Sequence, residues 1–367
     1  MDKRQFFESL ISPLSDNSGQ RFDSTPQIQE IFSSLKSNLS NKNLRNEFDQ
    51  LANEILFHVW MFEQICNGET TKTKSGNTIS WPLIVISVSW EILFVNRTYC
   101  YLSGLSPSEI QLHSRAGTLY AQVYDGENAD RASEAVSRLQ SGQGYKHLEL
   151  FMKHSGRRIA WNSYGWVGKF LEIRSGREIY DENSQEKERG RFYRGSIMNS
   201  TRLLENLYQV SIHGGLSAED EQKLMWIQEF LSMFDFLWNH SELFMEIVEI
   251  PKTQNGKIYG YYNTVYAQFF KYSFEEQKKF KDIFSIAHWA TISKFFETRI
   301  FKNTPSVGEY VFHQYNKCPV AEVYWQCSTY PDEMLPEYKK IFSMGLLVRR
   351  LNKKNLIVRF FQSLFRK

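Results

Sequence analysis

The chain has 367 residues, more than one ordinary core accommodates, so two domains with connecting helices are expected. A hydrophobic content of 42% with 15% aromatics excludes a disordered chain. A formal charge of +3, from 44 basic and 41 acidic residues, excludes the basic excess of a dedicated nucleic-acid binder.

Cys66, Cys100, Cys318 and Cys327 show no CxxC spacing, so they read as reduced thiols of a cytoplasmic protein rather than a zinc ribbon or a disulfide framework. The start, Met1-Asp2-Lys3-Arg4, lacks the apolar core of a secretory signal, and no run reaches the roughly 18 apolar residues of a membrane span. A soluble protein is expected.

Residues 1–25, rich in Ser, Asp and Asn, read as a mobile lead-in. Between Asn43 and Cys66 the apolar residues Leu44, Phe48, Leu51, Ile55, Val59, Phe62 and Ile65 recur at steps of three and four, predicting one helix stopped at Asn67-Gly68. Leu83 to Val88 and Glu91 to Val95 predict two strands joined at Ser89-Trp90. Tyr145 to Lys153 and Arg158 to Val167 predict a hairpin turning at His154-Ser155-Gly156. The charged segment 171–191 reads as a long exposed loop before a final strand near Arg191 to Met198.

Two helices follow, Arg202 to Val210 and Ala218 to Trp238, interrupted at Gly214-Gly215, with Leu224, Ile227, Leu231 and Phe234 on one stripe. They read as a connector. The order then repeats, with strands at Leu243 to Ile250 and Lys257 to Tyr262 around a turn at Asn255-Gly256, then helices. Strands around Tyr310 to Tyr315, Ala321 to Thr329 and Ile341 to Arg349 complete the repeat.

The most informative stretch is WEILFVNRTYCYLSGLSPSEI, residues 90–110. Asn96 is placed to end a strand and accept a hydrogen bond from a backbone N–H two or three residues on; Gly104 suits a left-handed helix terminus, and Ser106 with Glu109 forms a capping box. In GKIYGYYNTVYAQFFKYSFEE, residues 256–276, Asn263, Tyr266, Ser273 and Glu276 stand at the spacing of Asn96, Tyr99, Ser106 and Glu109, without gaps, while Lys271 replaces the Gly104 equivalent. A duplicated domain explains that register.

These residues resemble the PAS family, and ENADRASEAVSRLQSGQGYKHLELFMKHSGRRIAW, residues 127–161, continues the resemblance with a helix, a Gly-bearing turn and two strands. The resemblance covers roughly residues 79–200 and 241–350. It implies an α+β fold of two five-stranded antiparallel sheets with short helices packed on one face, over a small cavity or a plain apolar core. The expected organisation is an N-terminal helical region (1–78), a first PAS-like domain (79–200), a helical connector (201–240), a second PAS-like domain (241–350) and a basic amphipathic C-terminal helix (351–367).

The resemblance also frames the site expectations. His288, in FSIAHWATISKFF, and His113 in the corresponding region of the first copy could ligate haem iron, as helical histidines do in some PAS members; a histidine hydrogen-bonded at a helix start is the commoner role. Trp161, Trp289 and Tyr324 could stack on a planar ligand, although alternating aromatics on strands more often fill a core or interface. Neither haem nor non-covalent flavin is indicated by a motif. The Asn-Cys-Arg-Phe-Leu string of covalent flavin photochemistry is absent, so Cys100 reads as a small core residue. No GxxxxGK[ST], HExxH or GxSxG appears, so a non-enzymatic protein is expected.

The expected role is sensory or regulatory: the chain binds a small ligand or a protein partner and signals in trans through protein–protein contact, with no nucleic acid involved. The competing reading is a structural adaptor whose cores bind no ligand. A homodimer through the N-terminal stripe is expected if that stripe does not dock on its own domain. Leu356, Phe360 and Leu364, beside Ile357, Phe361 and Phe365 and flanked by Lys353, Lys354, Arg359, Arg366 and Lys367, suit peripheral contact with an anionic membrane.

Overall fold

The structure is a computed structural model and is described for residues 2–13, 20–68, 71–72, 78–79, 81–113, 115–141, 148–161, 166–167, 171–178, 198–241, 243–252, 259–266, 306–312, 321–331 and 338–350. The architecture is mixed α and β, in two compact units: one formed from residues 1–71, 80–179 and 198–241, the other from 72–79, 180–197 and 242–367.

The first unit opens with helix α1 (Lys3–Ser9), strands β1 (Ile11–Pro13) and β2 (Gln20–Phe22), and helices α2 (Thr25–Ser37) and α3 (Lys42–Cys66). The lead-in expectation is corrected here. Asp2 and Gln5 form a reciprocal capping box on α1, and Phe6, Phe7, Leu10 and Phe22 are buried, with the Phe6 and Trp226 rings 5.1 Å apart. Four large apolar side chains outweigh the polar residues around them, because burying each contributes about 1.5–3 kcal/mol.

The sheet of this unit contains β3 (Leu83–Ser87), β4 (Ile92–Val95), β5 (Leu148–Met152), β6 (Arg157–Trp161), the two-residue β7 (Trp166–Val167) and β8 (Leu171–Glu178). The strands run antiparallel in the order β4-β3-β8-β6-β5, with β7 on β8. Helices α4 (Arg97–Ser103), α5 (Pro107–Gln111), α6 (Ala116–Val123) and α7 (Gly126–Gln140) lie between β4 and β5 in the chain. The segment read as a loop after residue 171 therefore begins with a central strand. Leu171, Ile173 and Ser175 alternate as its buried set, a period-2 pattern that the charged residues between them obscured. The final strand expected near Arg191 to Met198 lies almost wholly outside the described residues; Met198 itself precedes a helix.

Both faces of this sheet are covered. Ile84, Ile86 and Val95 pack with Tyr99, Ile110, Leu119, Tyr120 and Ala132 of the helices that follow β4. On the opposite face the Phe94 ring lies 4.3 Å from Phe22, which also meets Phe62 of α3 at 5.6 Å and, at 6.1 Å, Phe230 of α9 (Ala218–His240). Burial on both faces accounts for the unbroken apolar run Leu83-Ile84-Val85-Ile86.

The helices read as a connector, α8 (Ser200–Ile212) and α9, pack inside this same unit. Phe48, Ile55, Val59 and Phe62 are at most 1% exposed within the chain. The docking alternative for the N-terminal stripe is thus the one observed, and the argument for a homodimer through it falls away.

Gly104 ends α4 with φ of 72°, as its position after the Asn96 helix predicts. A Cβ there would come within 2.2 Å of the His154 ring, but His154 is exposed and its ring can swing aside. The left-handed backbone is then the larger cost. Gly104→Ala is expected to lower unfolding stability by about 1–2 kcal/mol in urea denaturation, and an unchanged midpoint would contradict this account.

The second unit holds β9 (Phe244–Pro251), β10 (Tyr259–Tyr262), β11 (Ser306–Phe312), β12 (Ala321–Thr329) and β13 (Tyr338–Arg350), antiparallel in the order β10-β9-β13-β12-β11. With strands counted within each of these two sheets and β7 left aside, both run second-first-fifth-fourth-third. Lys340 and Glu249, opposite each other on β13 and β9, form an ion pair of 3.1 Å whose lysine is buried.

Candidate functional site

Each sheet leaves its second strand through an asparagine. Asn96 is fully buried at the end of β4. Its Oδ1 accepts from Tyr99 N, capping α4 at 3.0 Å, and from Leu83 N at 3.0 Å, while its Nδ2 donates to Trp81 O at 2.8 Å. Asn263 repeats this after β10: Oδ1 accepts from Tyr266 N and Met245 N, both at 3.1 Å, and Nδ2 donates to Leu243 O at 2.7 Å. The sequence predicts the cap; the two bonds back to the first strand come from the fold. Leu83 lies 13 residues before Asn96 and Met245 lies 18 before Asn263, so the second hairpin is five residues longer (18 − 13) and a gap-free match could not extend across it.

This joint aligns the first strands, so Ile84 corresponds to Glu246, and the register agrees: Ile84 faces Val95 across β3 and β4, and Glu246 faces Tyr262 across β9 and β10. In the first unit the face beneath α4–α7 is closed by apolar packing. Ile84, Tyr120, Tyr124, Ala132, Leu148, Leu150 and Trp161 surround a cavity of about 10 Å³, space for one water at most. Small-molecule pockets measure about 300–1,000 Å³, so this packing fits neither haem nor flavin. Burial, and then the neighbouring Tyr124 and Tyr120, push the Tyr99 phenol well above its ordinary range.

Trp161 is the sequence-predicted site residue that lines this cavity, and its Nε1 has no hydrogen-bond partner among the described residues. His113 is half-buried in the turn after α5 and is not part of the lining. Cys100 packs against the same core, its thiol pushed up to about 11 by burial. His288 and Trp289 lie outside the described residues, and Tyr324 is placed by its backbone alone, which pairs with Glu309 and Leu346.

The second sheet differs in kind. Tyr262, Glu246, Ser343 and Cys327 are direct cross-strand partners on β10, β9, β13 and β12, so they form one row on one face. It is the face of Tyr266: Tyr262 stacks on that ring at 4.6 Å, and Phe244 meets it edge-on at 6.2 Å. Glu246 is 3% exposed, and its Oε1 has no hydrogen-bond partner among the described residues. Burial alone raises its carboxyl well above the usual range. Ser343 Oγ donates to Cys327 Sγ at 3.2 Å, and burial holds that thiol up at about 12, so it stays neutral.

Sequence reasoning missed Glu246. The available signal was the alignment of the two copies carried back across the longer hairpin, where Met245-Glu246-Ile247-Val248-Glu249 meets Leu83-Ile84-Val85-Ile86-Ser87 and an acid stands in an aliphatic slot.

Among the described residues, no group of three or more His, Cys, Asp and Glu could hold a metal ion, and no helix is long and apolar enough to cross a membrane. The C-terminal segment 351–367 lies outside the described residues.

No family model matches the chain, and no curated protein matches it. Among solved structures it is similar to an RNA-binding light-oxygen-voltage receptor at 7% identity and a TM-score of 0.26, covering 73% of this chain and 95% of that one. It is also similar to the E. coli DhaR(N)–DhaL complex at 9% identity and a TM-score of 0.22, covering 83% and 90%. At those scores neither likeness carries an argument.

Proposed function

We propose that the chain is a cytoplasmic, non-enzymatic regulatory protein with two PAS-like domains, one of which binds a small ligand, and that it signals to a protein partner through its surface. The observation that carries this is the repeated joint: two antiparallel sheets whose five main strands follow the same order, the first with the two-residue β7 added, each leaving its second strand through a buried asparagine that makes the same three side-chain bonds. Those features fit the PAS resemblance of residues 90–110 and 256–276. A division of labour also fits, because the first inner face is filled by aromatics whereas the second carries polar groups. The filled face favours the adaptor reading for the first domain alone.

Native mass spectrometry of the freshly purified chain, followed by a thermal-shift screen of small metabolites, tests the proposal. A co-purifying mass or a saturable stabiliser is expected. If no bound mass, no stabilising compound and no specific protein partner is found, the reading is wrong.

A further inference from the structure

We propose that the inner face of the second sheet is a binding site for a small organic cation bearing N–H donors, with the Glu246 carboxylate as counter-ion and Tyr262, Tyr266 and Phe244 as its aromatic wall. This rests on the ligand-binding reading above and names the ligand class.

A carboxyl group removed from water is costly in its charged form unless it is paired and hydrogen-bonded. Glu246 stands on β9, opposite Tyr262 and Ser343, with no hydrogen-bond partner for Oε1 among the described residues. Among the described residues, the groups near it do not supply a positive charge. Cys327 is a neutral thiol hydrogen-bonded to Ser343, and Tyr262 is held well above its ordinary range by burial first and then by Glu246. Lys340 is committed to Glu249, and Lys339 stands across from Ile250 rather than Glu246. The corresponding pair in the first sheet, Ile84 and Val95, shows that aliphatic side chains serve this position when only packing is required.

The aromatic groups fit the same ligand. Tyr262 and Tyr266 stack at 4.6 Å and Phe244 lies 6.2 Å from Tyr266, so a cation beside Glu246 meets ring surface as well as a carboxylate. An N–H donor on the ligand would satisfy Oε1 and form a charge-assisted pair with the carboxylate.

The test uses the full chain at neutral pH with benzylamine, histamine and agmatine as probe cations and benzyl alcohol as the neutral counterpart. At least one cation is expected to raise the Tm saturably. Glu246→Gln, close in shape and uncharged, should weaken that probe by about tenfold or more. Glu246→Asp, which keeps the charge but withdraws it, should fall between. Circular dichroism of both variants reports their folding independently.

Without ligand, the wild-type Tm should fall as pH rises from about 4.5 through the raised folded-state pKa, because the unfolded carboxyl ionises first; Glu246→Gln should lack that decline. The proposal is overturned if no cation binds, if Glu246→Gln binds as well as wild type, or if benzyl alcohol matches benzylamine. A neutral or anionic metabolite emerging from the screen would overturn the cation site and leave the regulatory reading standing, whereas absence of any ligand or partner removes both.

Discussion

Asn96→Ala is expected to cost on the order of 3–5 kcal/mol of unfolding stability, enough to unfold much of the first unit at body temperature. The substitution strands three groups at once: the N–H of Leu83, the N–H of Tyr99 and the C=O of Trp81, all bonded to Asn96 at 2.8–3.0 Å in a fully buried setting. Each unsatisfied buried group costs about 1–3 kcal/mol, and native stability is only about 5–15 kcal/mol. Asn96→Asp should not rescue it, because a carboxylate accepts from the two N–H groups but has no proton for the Trp81 carbonyl. Asn263→Ala should produce a loss of similar size in the second unit, where the bonds are the same in kind. Urea titrations followed separately by tryptophan fluorescence and far-UV circular dichroism measure both. A change below about 0.5 kcal/mol for either variant would refute the view that these asparagines hold the joints.

Glu63→Ala is expected to be the most damaging change in the N-terminal helices, at about 2–4 kcal/mol. Glu63 is a buried carboxyl on α3 whose Oε1 accepts from Ser24 N at 2.7 Å, Thr25 N at 2.6 Å, Thr25 Oγ1 at 2.8 Å and Ser24 Oγ at 3.1 Å. It caps α2 from another helix, since Ser24, the residue at the N-cap, makes no side-chain cap of its own. Removing it leaves the two backbone donors at the start of α2 unpaired. Glu63→Gln keeps an acceptor oxygen in place and should cost much less.

The pH dependence has a defined sign. Burial raises the Glu63 carboxyl above its usual value while its four hydrogen bonds pull the other way, so the folded state holds the proton more tightly than the unfolded chain. Its contribution to stability is therefore full below about pH 4.5 and declines as pH rises through the raised pKa. Thermal unfolding of Glu63→Gln should show a flatter profile over that window, and an unchanged slope would count against Glu63 as its source.

What the sequence determined by itself was whatever depends on neighbours in the chain. The spacing of apolar residues in 43–66 places α3, and the Asn96, Gly104, Ser106 and Glu109 set places the strand end, the left-handed terminus and the capping box. Each of these is decided within a few residues by backbone geometry and local hydrogen bonds. Tertiary structure decided the rest, because it brings distant residues together. Leu171–Glu178 became a central strand when β3 and β6 supplied its hydrogen bonds on both sides. The first residues became a helix when Trp226 covered Phe6. Glu63 and Glu246 are ordinary glutamates in the sequence. Their roles arise from burial, beside two helix-start donors in one case and in an aliphatic slot of a sheet in the other, and burial is set by the packing of elements that the chain separates by tens of residues.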